Sequence, residues 1–319
     1  MSVLTRWFVA TALVVALGAV PLPYYLIAPG TALDLTHAIT VAGHKPPIDR
    51  YYLTDVTLER ASAIRLFTLV FPGVKLQPLR AVAPSGARDL DAISTIQMES
   101  SQEAAAVVAE RAAGYPVPIP AQRTAVVNVQ PSSKALGILR AGDVITAIDG
   151  LAVASNADLR ARVGSHRPGE RVRLSYLRGG SARDAILSTI VISGQPRLGI
   201  ITQSVPEPAR LRVPVSFGIG EIGGPSGGLM FALEIYRSLR PGSPAPARKI
   251  AGTGTIAFDG RVGPIEGTRQ KLIAAKRAGV TVFLVPRENY ADIQDERDVR
   301  IVPIDTFADA VRAIAGTNA

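Results

Sequence analysis

The feature that most constrains this chain is a charge-free stretch near its N-terminus. No charged residue occurs between Arg6 and Asp34, and the run is apolar from Trp7 to Val20. About 20 consecutive apolar residues are enough to cross a bilayer as a helix. The prolines and tyrosines that follow suit the outer end of such a helix and the membrane interface. We therefore predict an N-terminal membrane anchor over residues 1–28.

The charges that flank this stretch predict its orientation. Arg6 precedes the stretch and Asp34 is the first charge after it, so the positive-inside rule places the remainder of the chain outside the cytoplasm. The predicted localisation is the cell membrane, with a single span and extracytoplasmic C-terminal domains. A cleaved signal peptide with residues 7–20 as its hydrophobic core is the alternative. Its best cleavage pattern, Ala16-Leu-Gly18, falls inside the apolar run, which favours the uncleaved anchor.

Residues 29–115 show no catalytic pattern and are predicted to form an extracytoplasmic α/β region of unclear role. Their β-branched and aromatic content predicts a strand from Tyr51 to Leu58. A helix is predicted from Ser100 to Ala113, with Ser100 and Glu103 as its capping box. A structural role is the default interpretation of this region.

Short strand patterns alternate with glycine turns after Arg123. Gly179-Gly180 is typical of a tight turn between two strands, and a short helix is predicted over 157–163. The predicted strands cover residues 124–129, the apolar centre of 139–150, 168–178 and 184–192. This region is therefore a β-rich module with one short helix.

The ordered motifs of this module resemble those of a PDZ domain, particularly the type found in bacterial periplasmic proteases. They are Leu139-Arg-Ala-Gly-Asp-Val-Ile, Ile148-Asp-Gly150 and Pro168-Gly-Glu. The resemblance implies a PDZ domain over 116–194 that captures an extended peptide, often a C-terminus, at a sheet edge. Gly114-Tyr-Pro-Val117 is our candidate for the carboxylate-binding loop.

A glycine-rich turn, Gly224-Pro-Ser-Gly-Gly228, leads into a helical pattern. Ser226 stands where the turn becomes the helix, and free N–H groups and the positive helix end would favour an oxyanion there. The turn also fits the G-x-S-x-G pattern of Ser-His-Asp hydrolases, but that fold needs a later histidine. The last histidine is His166, which excludes this triad. A helix N-cap is the alternative role of the serine.

Lys271 lies on a predicted helix from Thr268 to Ala278, which ends at Gly279. It shares a face with alanines three, four and seven residues later, which indicates close packing against a neighbour. Burial lowers the pKa of a lysine and lets the neutral amine act as a base. Lys276 is predicted to lie on the solvated face instead, which is the usual position of a helical lysine.

The amino-acid composition excludes several other kinds of functional site. The chain has no cysteine and three histidines, so disulfides, thiolate nucleophiles and cysteine-ligated metal centres are excluded, and we predict no metal and no cofactor. Its formal charge of +9 is scattered, and only 5% of its residues are aromatic. Without a basic and aromatic stripe, nucleic-acid binding is not predicted.

The C-terminal motifs together resemble the proteolytic domain of Lon-type serine peptidases. Besides the serine turn, they are Thr253-Gly254, Gly260-Arg-Val-Gly-Pro-Ile265 and the run from Lys271 to Gly279. The resemblance implies an α/β proteolytic domain over 195–319. It also implies Ser226 as nucleophile, Lys271 as general base, and Thr253, Gly224 and Gly227 as supporting residues. The family usually has alanine at the position of Gly227 and glycine at that of Glu266.

The complete prediction is an α+β chain with a transmembrane helix, a PDZ domain and a Lon-type domain. The order resembles a group of bacterial membrane-anchored PDZ-containing Lon-like peptidases. The sequence contains no Walker A pattern, so an ATP-independent endopeptidase acting on protein or peptide substrates is expected. The alternative is a membrane-anchored PDZ adaptor whose peptidase-like domain is inactive. The bilayer is a predicted partner, and a homo-oligomer is expected by resemblance alone.

Overall fold

The computed structural model describes residues 7, 20–82, 90–220, 222–241 and 248–315. Elements before residue 115 are the strands β1 (Pro21–Asp34), β2 (Ile39–Val41), β3 (Arg50–Ser62) and β4 (Lys75–Pro78), the 3-10 helix Ala63–Val70, the helical turn Leu79–Val82 and helix α1 (Leu90–Ala112). The strand predicted around Tyr51 is therefore confirmed within β3. Helix α1 begins earlier than predicted and encloses Ser100, so the proposed capping box is wrong. Glu103 instead accepts a hydrogen bond from the backbone N–H of Ala209.

The middle of the chain forms the β-rich module that was predicted. Its elements are β5 (Gln122–Val129), β6 (Val144–Ile148), β7 (Leu151–Ala152), α2 (Asn156–Gly164), β8 (Arg171–Arg178), β9 (Ser181–Ser188), β10 (Ile190–Ile192), β11 (Gln195–Arg197) and β12 (Ile200–Pro206). The main sheet has the order β12-β5-β6-β8-β9, and β7 pairs with β6. Strand β12 lies beyond the predicted boundary at residue 194, yet it pairs antiparallel with β5 and forms one edge of this sheet.

The C-terminal part supplies the remaining elements. They are β13 (Val215–Phe217), α3 (Gly228–Leu239), β14 (Lys249–Gly252), β15 (Thr255–Ile256), β16 (Val262–Gly263), α4 (Thr268–Arg277), β17 (Val282–Pro286), the 3-10 helix Arg287–Asp292, β18 (Arg300–Ile304) and α5 (Phe307–Ala315). The helix predicted around Lys271 is confirmed as α4, and Gly279 follows it with a φ of 71°.

The largest sheet combines strands from both ends of the chain in the order β18-β17-β14-β3-β1-β4. Strand β14 lies parallel to β17 on one side and to β3 on the other. Residues 29–115, whose role the sequence left open, therefore share a sheet with the C-terminal part. The β-rich module is an insertion between the two parts.

Both faces of this sheet are covered by helices. Neighbouring residues of a strand point to opposite faces, so they enter different cores. Tyr51 belongs to the core that contains helix α3, whereas Tyr52 belongs to the core that contains Leu272 of α4. Helix α3 is buried on nearly all sides, and α1 packs against it through alanines. The small alanine side chains allow the two helices to approach each other closely.

The prediction of a membrane anchor is wrong for its C-terminal part, residues 21–28. Residues 21–28 lie in β1, where Pro21 stands opposite Ser62 and Ile27 opposite Leu58 of β3. Proline cannot supply the N–H that a helix interior needs, and extended backbone is compatible with it. The part of the anchor before residue 20 lies outside the described residues, apart from Trp7. None of the helices in the described ranges has the length and apolarity needed to cross a membrane.

Candidate active site

The turn that carries Ser226 is held against helix α1. Ser101 Oγ donates a hydrogen bond to the carbonyl of Pro225 (3.0 Å), and the N–H of Gly224 donates to the carbonyl of Ser94 (3.1 Å). Gly224 has a φ of 86°, a conformation that side chains with a Cβ rarely adopt. Residues of α1, which showed no catalytic pattern, therefore position the serine turn.

Gly227 lies where there is little room for a side chain. A Cβ at this position would stand 2.8 Å from Cδ1 of Leu53 and 2.9 Å from Cζ of Phe231. Such distances require the neighbouring side chains to move. The glycine found here, in place of the alanine usual in the resembling family, fits the local packing.

Lys271 reaches Ser226 from helix α4. Its side chain is buried, with 3% of the residue exposed, and Nζ is hydrogen-bonded to Ser226 Oγ. Nζ also donates to Thr253 Oγ1 across 3.2 Å. Burial lowers the pKa of Lys271 to about 8, partly offset by the charge of Asp55. The amine is therefore neutral in an appreciable fraction of molecules near neutral pH.

Thr253 connects these two residues. It follows β14, is fully buried, and its Oγ1 donates to the carbonyl of Ser226 across 3.2 Å. The N–H of Gly254 donates to the same carbonyl (2.9 Å). The structure thus brings together all five residues that the sequence singled out. Lys276, predicted on the solvated face, pairs there with Glu296 and Asp298.

A cleft of about 290 Å³ opens beside the serine and the lysine. Its lining residues are Leu53, Thr54, Asp55, Val56, Met98, Ile222, Gly223, Ser226, Gly227 and Lys271. The carboxylate of Asp55 accepts hydrogen bonds from the backbone N–H and the hydroxyl of Thr31. No sequence motif marks this wall of the cleft, because it comes from a strand far away in the chain.

The edge of β3 beside the cleft has no neighbouring strand in the described ranges. The pairing with β14 ends at Leu53, opposite Gly252, whereas the pairing with β1 on the other edge continues to Ser62. Beyond this pairing, Thr54, Asp55 and Val56 line the cleft. An extended segment could pair there in the manner of an added strand.

The inserted module has a second groove, of about 230 Å³, between β12 and α2. It is lined at one end by Arg197, Leu198 and Gly199, which precede β12. Within the described ranges, β12 is an edge strand that pairs with β5 alone. Our candidate carboxylate-binding loop at 114–117 is not among the residues that line this groove. It lies at the end of α1, where Arg240 donates to the carbonyl of Ala113.

Two family models match different parts of this chain. Residues 94–189 match the PDZ domain family, and residues 186–312 match the Lon protease (S16) C-terminal proteolytic domain. The first match begins inside α1, and the second does not include β1, β3 and β4, although these strands belong to the large sheet.

Curated Lon proteases are similar to a limited part of this chain. A Lon protease of Campylobacter concisus is 40% identical over 95 residues, and one of Vibrio parahaemolyticus is 35% identical over 121 residues. These alignments cover 28% and 38% of this chain, but only 12% and 14% of the relatives. The PDZ domain of an SdrC-like protein from Listeria monocytogenes is 29% identical, with a TM-score of 0.25 over 28% of this chain and 93% of its own. The two family matches show that this chain carries a PDZ domain and the proteolytic domain of the Lon (S16) protease family.

Proposed function

We propose that this chain is an ATP-independent serine endopeptidase, with Ser226 as nucleophile and Lys271 as general base. The observation that carries the proposal is the hydrogen bond between a buried lysine amine and the serine hydroxyl at the floor of an open cleft. No histidine occurs after His166, so no imidazole from the C-terminal part is at hand. The Lon-type match supports the same chemistry.

The reaction begins when neutral Lys271 accepts the hydroxyl proton of Ser226. Its pKa of about 8 leaves about a tenth of the amine neutral at pH 7. The serine oxygen then attacks the carbonyl carbon of the substrate, and the protonated amine returns its proton to the leaving nitrogen. Water activated by Lys271 hydrolyses the acyl-enzyme. One residue thus serves as base and as acid.

The tetrahedral oxyanion needs hydrogen-bond donors in fixed positions. Ser226 lies one residue before Gly227, the N-cap of α3, so the N–H groups of this turn stand ahead of those of Leu229 and Met230, which donate to the carbonyls of Gly254 and Gly227. The N–H groups of the turn and the positive end of α3 can stabilise the negative charge that develops on the substrate oxygen. The hydrogen bonds from α1 to the serine turn keep this arrangement rigid before substrate binds.

Substrate binding uses two separate places in this proposal. An extended segment pairs with the open edge of β3, which brings its scissile bond to Ser226. The groove between β12 and α2 captures another part of the same protein, as PDZ domains do with peptides. The substrates we propose are unfolded or locally extended segments, because only extended backbone can pair with this strand edge. The charge-free N-terminal stretch supports anchoring of the enzyme in a membrane, with its domains outside the cytoplasm.

Cleavage of casein by the full chain in detergent tests the proposal. We expect wild type and Lys276→Ala to cleave, and Ser226→Ala and Lys271→Ala to lose cleavage. Lys276 is the matched control, since it lies on the same helix but pairs with surface carboxylates. Full activity of Lys271→Ala would refute the assigned base. An inactive wild type, even with peptides that occupy the PDZ groove, would favour the adaptor.

A further inference from the structure

The segment that follows the C-terminal end of β3 carries several exposed apolar side chains. We call the 3-10 helix Ala63–Val70 together with Phe71 the apolar tip. None of the residues of this helix is buried. Phe67 is 63% exposed, Val70 79% and Phe71 55%. Helices in folded domains normally bury an apolar stripe, so a helix with these residues in solvent indicates an interaction surface.

The tip lies where the N-terminal stretch enters the fold. Strand β1 starts at Pro21, opposite Ser62, and Ser62 directly precedes the tip. Val20 (52% exposed) and Tyr24 add apolar surface at the same end of the sheet. The charge-free stretch before residue 20 therefore joins the domain beside the tip. A membrane that holds this stretch would bring lipid to the tip.

The charges around the tip favour an anionic surface. Between residues 56 and 79 the basic residues are Arg60, Arg65 and Lys75, and the only acidic residue is Glu59. Glu59 pairs with Arg65. The resulting positive surroundings would attract anionic lipid headgroups. Two copies of the chain facing each other through their tips would instead bring like charges together.

We propose that the apolar tip inserts into the interface of an anionic lipid bilayer. Phe67 and Phe71, with the aliphatic side chains between them, enter the boundary between headgroups and acyl chains, and the nearby basic residues contact lipid phosphates. This contact is made by the folded domain. It is a second attachment, separate from whether the N-terminal stretch crosses the bilayer.

The contact would set the distance between the active site and the membrane surface. Asp55 in the cleft and Ser62 at the tip lie on the same strand, β3. Seven residues of extended strand span roughly 23 Å, at about 3.3 Å per residue. If the proposed peptidase function holds, its substrates would be protein segments close to the membrane surface.

Because the chain has no cysteine, a single spin label can test the contact. We would label Phe67→Cys and, as control, Leu151→Cys, which is 60% exposed on the inserted domain. Each full-length chain is reconstituted in vesicles of phosphatidylglycerol and phosphatidylethanolamine. Collision rates with oxygen, which enters lipid, and with a water-soluble nickel chelate then report depth. We expect a several-fold higher oxygen-to-nickel ratio at residue 67 than at residue 151.

Three results would overturn the proposal. Equal ratios at the two positions would place the tip in water. Strong spin–spin broadening at residue 67 would show that a second copy covers it. An immobilised label with low access to both reagents would show that another segment of the same chain covers it. Casein cleavage measured on the labelled chains separates this question from the peptidase function, because the depth measurement does not depend on activity.

Discussion

Lys271 donates a hydrogen bond to Thr253 across 3.2 Å, and Thr253 donates in turn to the carbonyl of the residue that bears the nucleophile, also across 3.2 Å. The threonine hydroxyl therefore ties the amine to the serine turn without blocking the cleft. A lysine side chain has several rotatable bonds, so a second fixed partner reduces the number of positions that its amine can take.

Replacement of Thr253 by valine should lower kcat by about tenfold, the effect of losing one positioning hydrogen bond of about 1.4 kcal/mol. Valine has nearly the same shape but cannot accept from Lys271 Nζ. Thr253→Ser keeps the hydroxyl and should retain most of the activity. Steady-state cleavage of a fluorogenic casein measures the effect. Equal activities of the valine and serine variants would contradict this role.

The rate of cleavage should rise with pH through the pKa of Lys271. The amine must be neutral to accept a proton, and burial lowers its pKa to about 8. We expect kcat/KM at pH 6 to be about a hundredth of its plateau value above pH 9, because each unit below the pKa reduces the neutral fraction about tenfold. A profile that is flat between pH 6 and 9 would exclude lysine as the base.

Local signals in the sequence were enough to find the reacting residues. The glycine turn before α3 and the run of alanines on α4 depend only on near neighbours along the chain, and both predictions placed their residues where the structure has them. Helical periodicity alone distinguishes Lys271 from Lys276, because the two lysines fall on different faces of the same helix.

Long-range strand pairing could not be predicted in this way. The register of Leu53 against Gly252 joins segments on either side of an inserted domain, and it is this pairing that brings Asp55 to the cleft. Residues 21–28, which were predicted as part of the membrane anchor, also depend on a strand partner that is distant in the sequence. Their apolar and proline-rich composition fits a membrane exit, but pairing with β3 makes them part of a strand.

Asp55→Asn should shift the pH profile of cleavage to lower pH. The negative charge of Asp55 raises the pKa of Lys271 against the effect of burial, so its removal lets the pKa fall further. Asparagine keeps an oxygen that can accept from Thr31. Asp295→Asn is the matched control, because that carboxylate pairs with Arg269 on the outer face. Identical profiles for wild type and Asp55→Asn would show that this charge does not reach the amine.

Gly227→Ala should destabilise the fold by about 1–3 kcal/mol, the usual cost of overpacking. The new methyl group would stand 2.8 Å from Leu53 Cδ1. Shortening that neighbour in the double variant Gly227→Ala/Leu53→Val should recover part of the loss. Urea unfolding of wild type, the two single variants and the double variant measures the coupling free energy between the two positions. Additive effects would mean that other atoms accommodate the methyl group.

Glu234 is fully buried on α3. Neither of its carboxylate oxygens has a hydrogen-bond partner among the residues that the structure describes. Burial, together with the charge of Asp34, raises its pKa to about 8. In the unfolded chain the pKa is about 4.3, so between these values the folded state keeps a proton that the unfolded state releases.

Stability should therefore fall as pH rises from about 4.3 to 8, by a few kcal/mol, and level off above that range. Glu234→Gln cannot ionise, so its unfolding free energy should lack this decline. The contrast is Glu110, also fully buried, which accepts from the N–H groups of Arg212 and Val213. Glu110→Gln keeps one acceptor oxygen and should cost about 1–2 kcal/mol. Parallel pH curves for wild type and Glu234→Gln would show that the buried acid does not control this dependence.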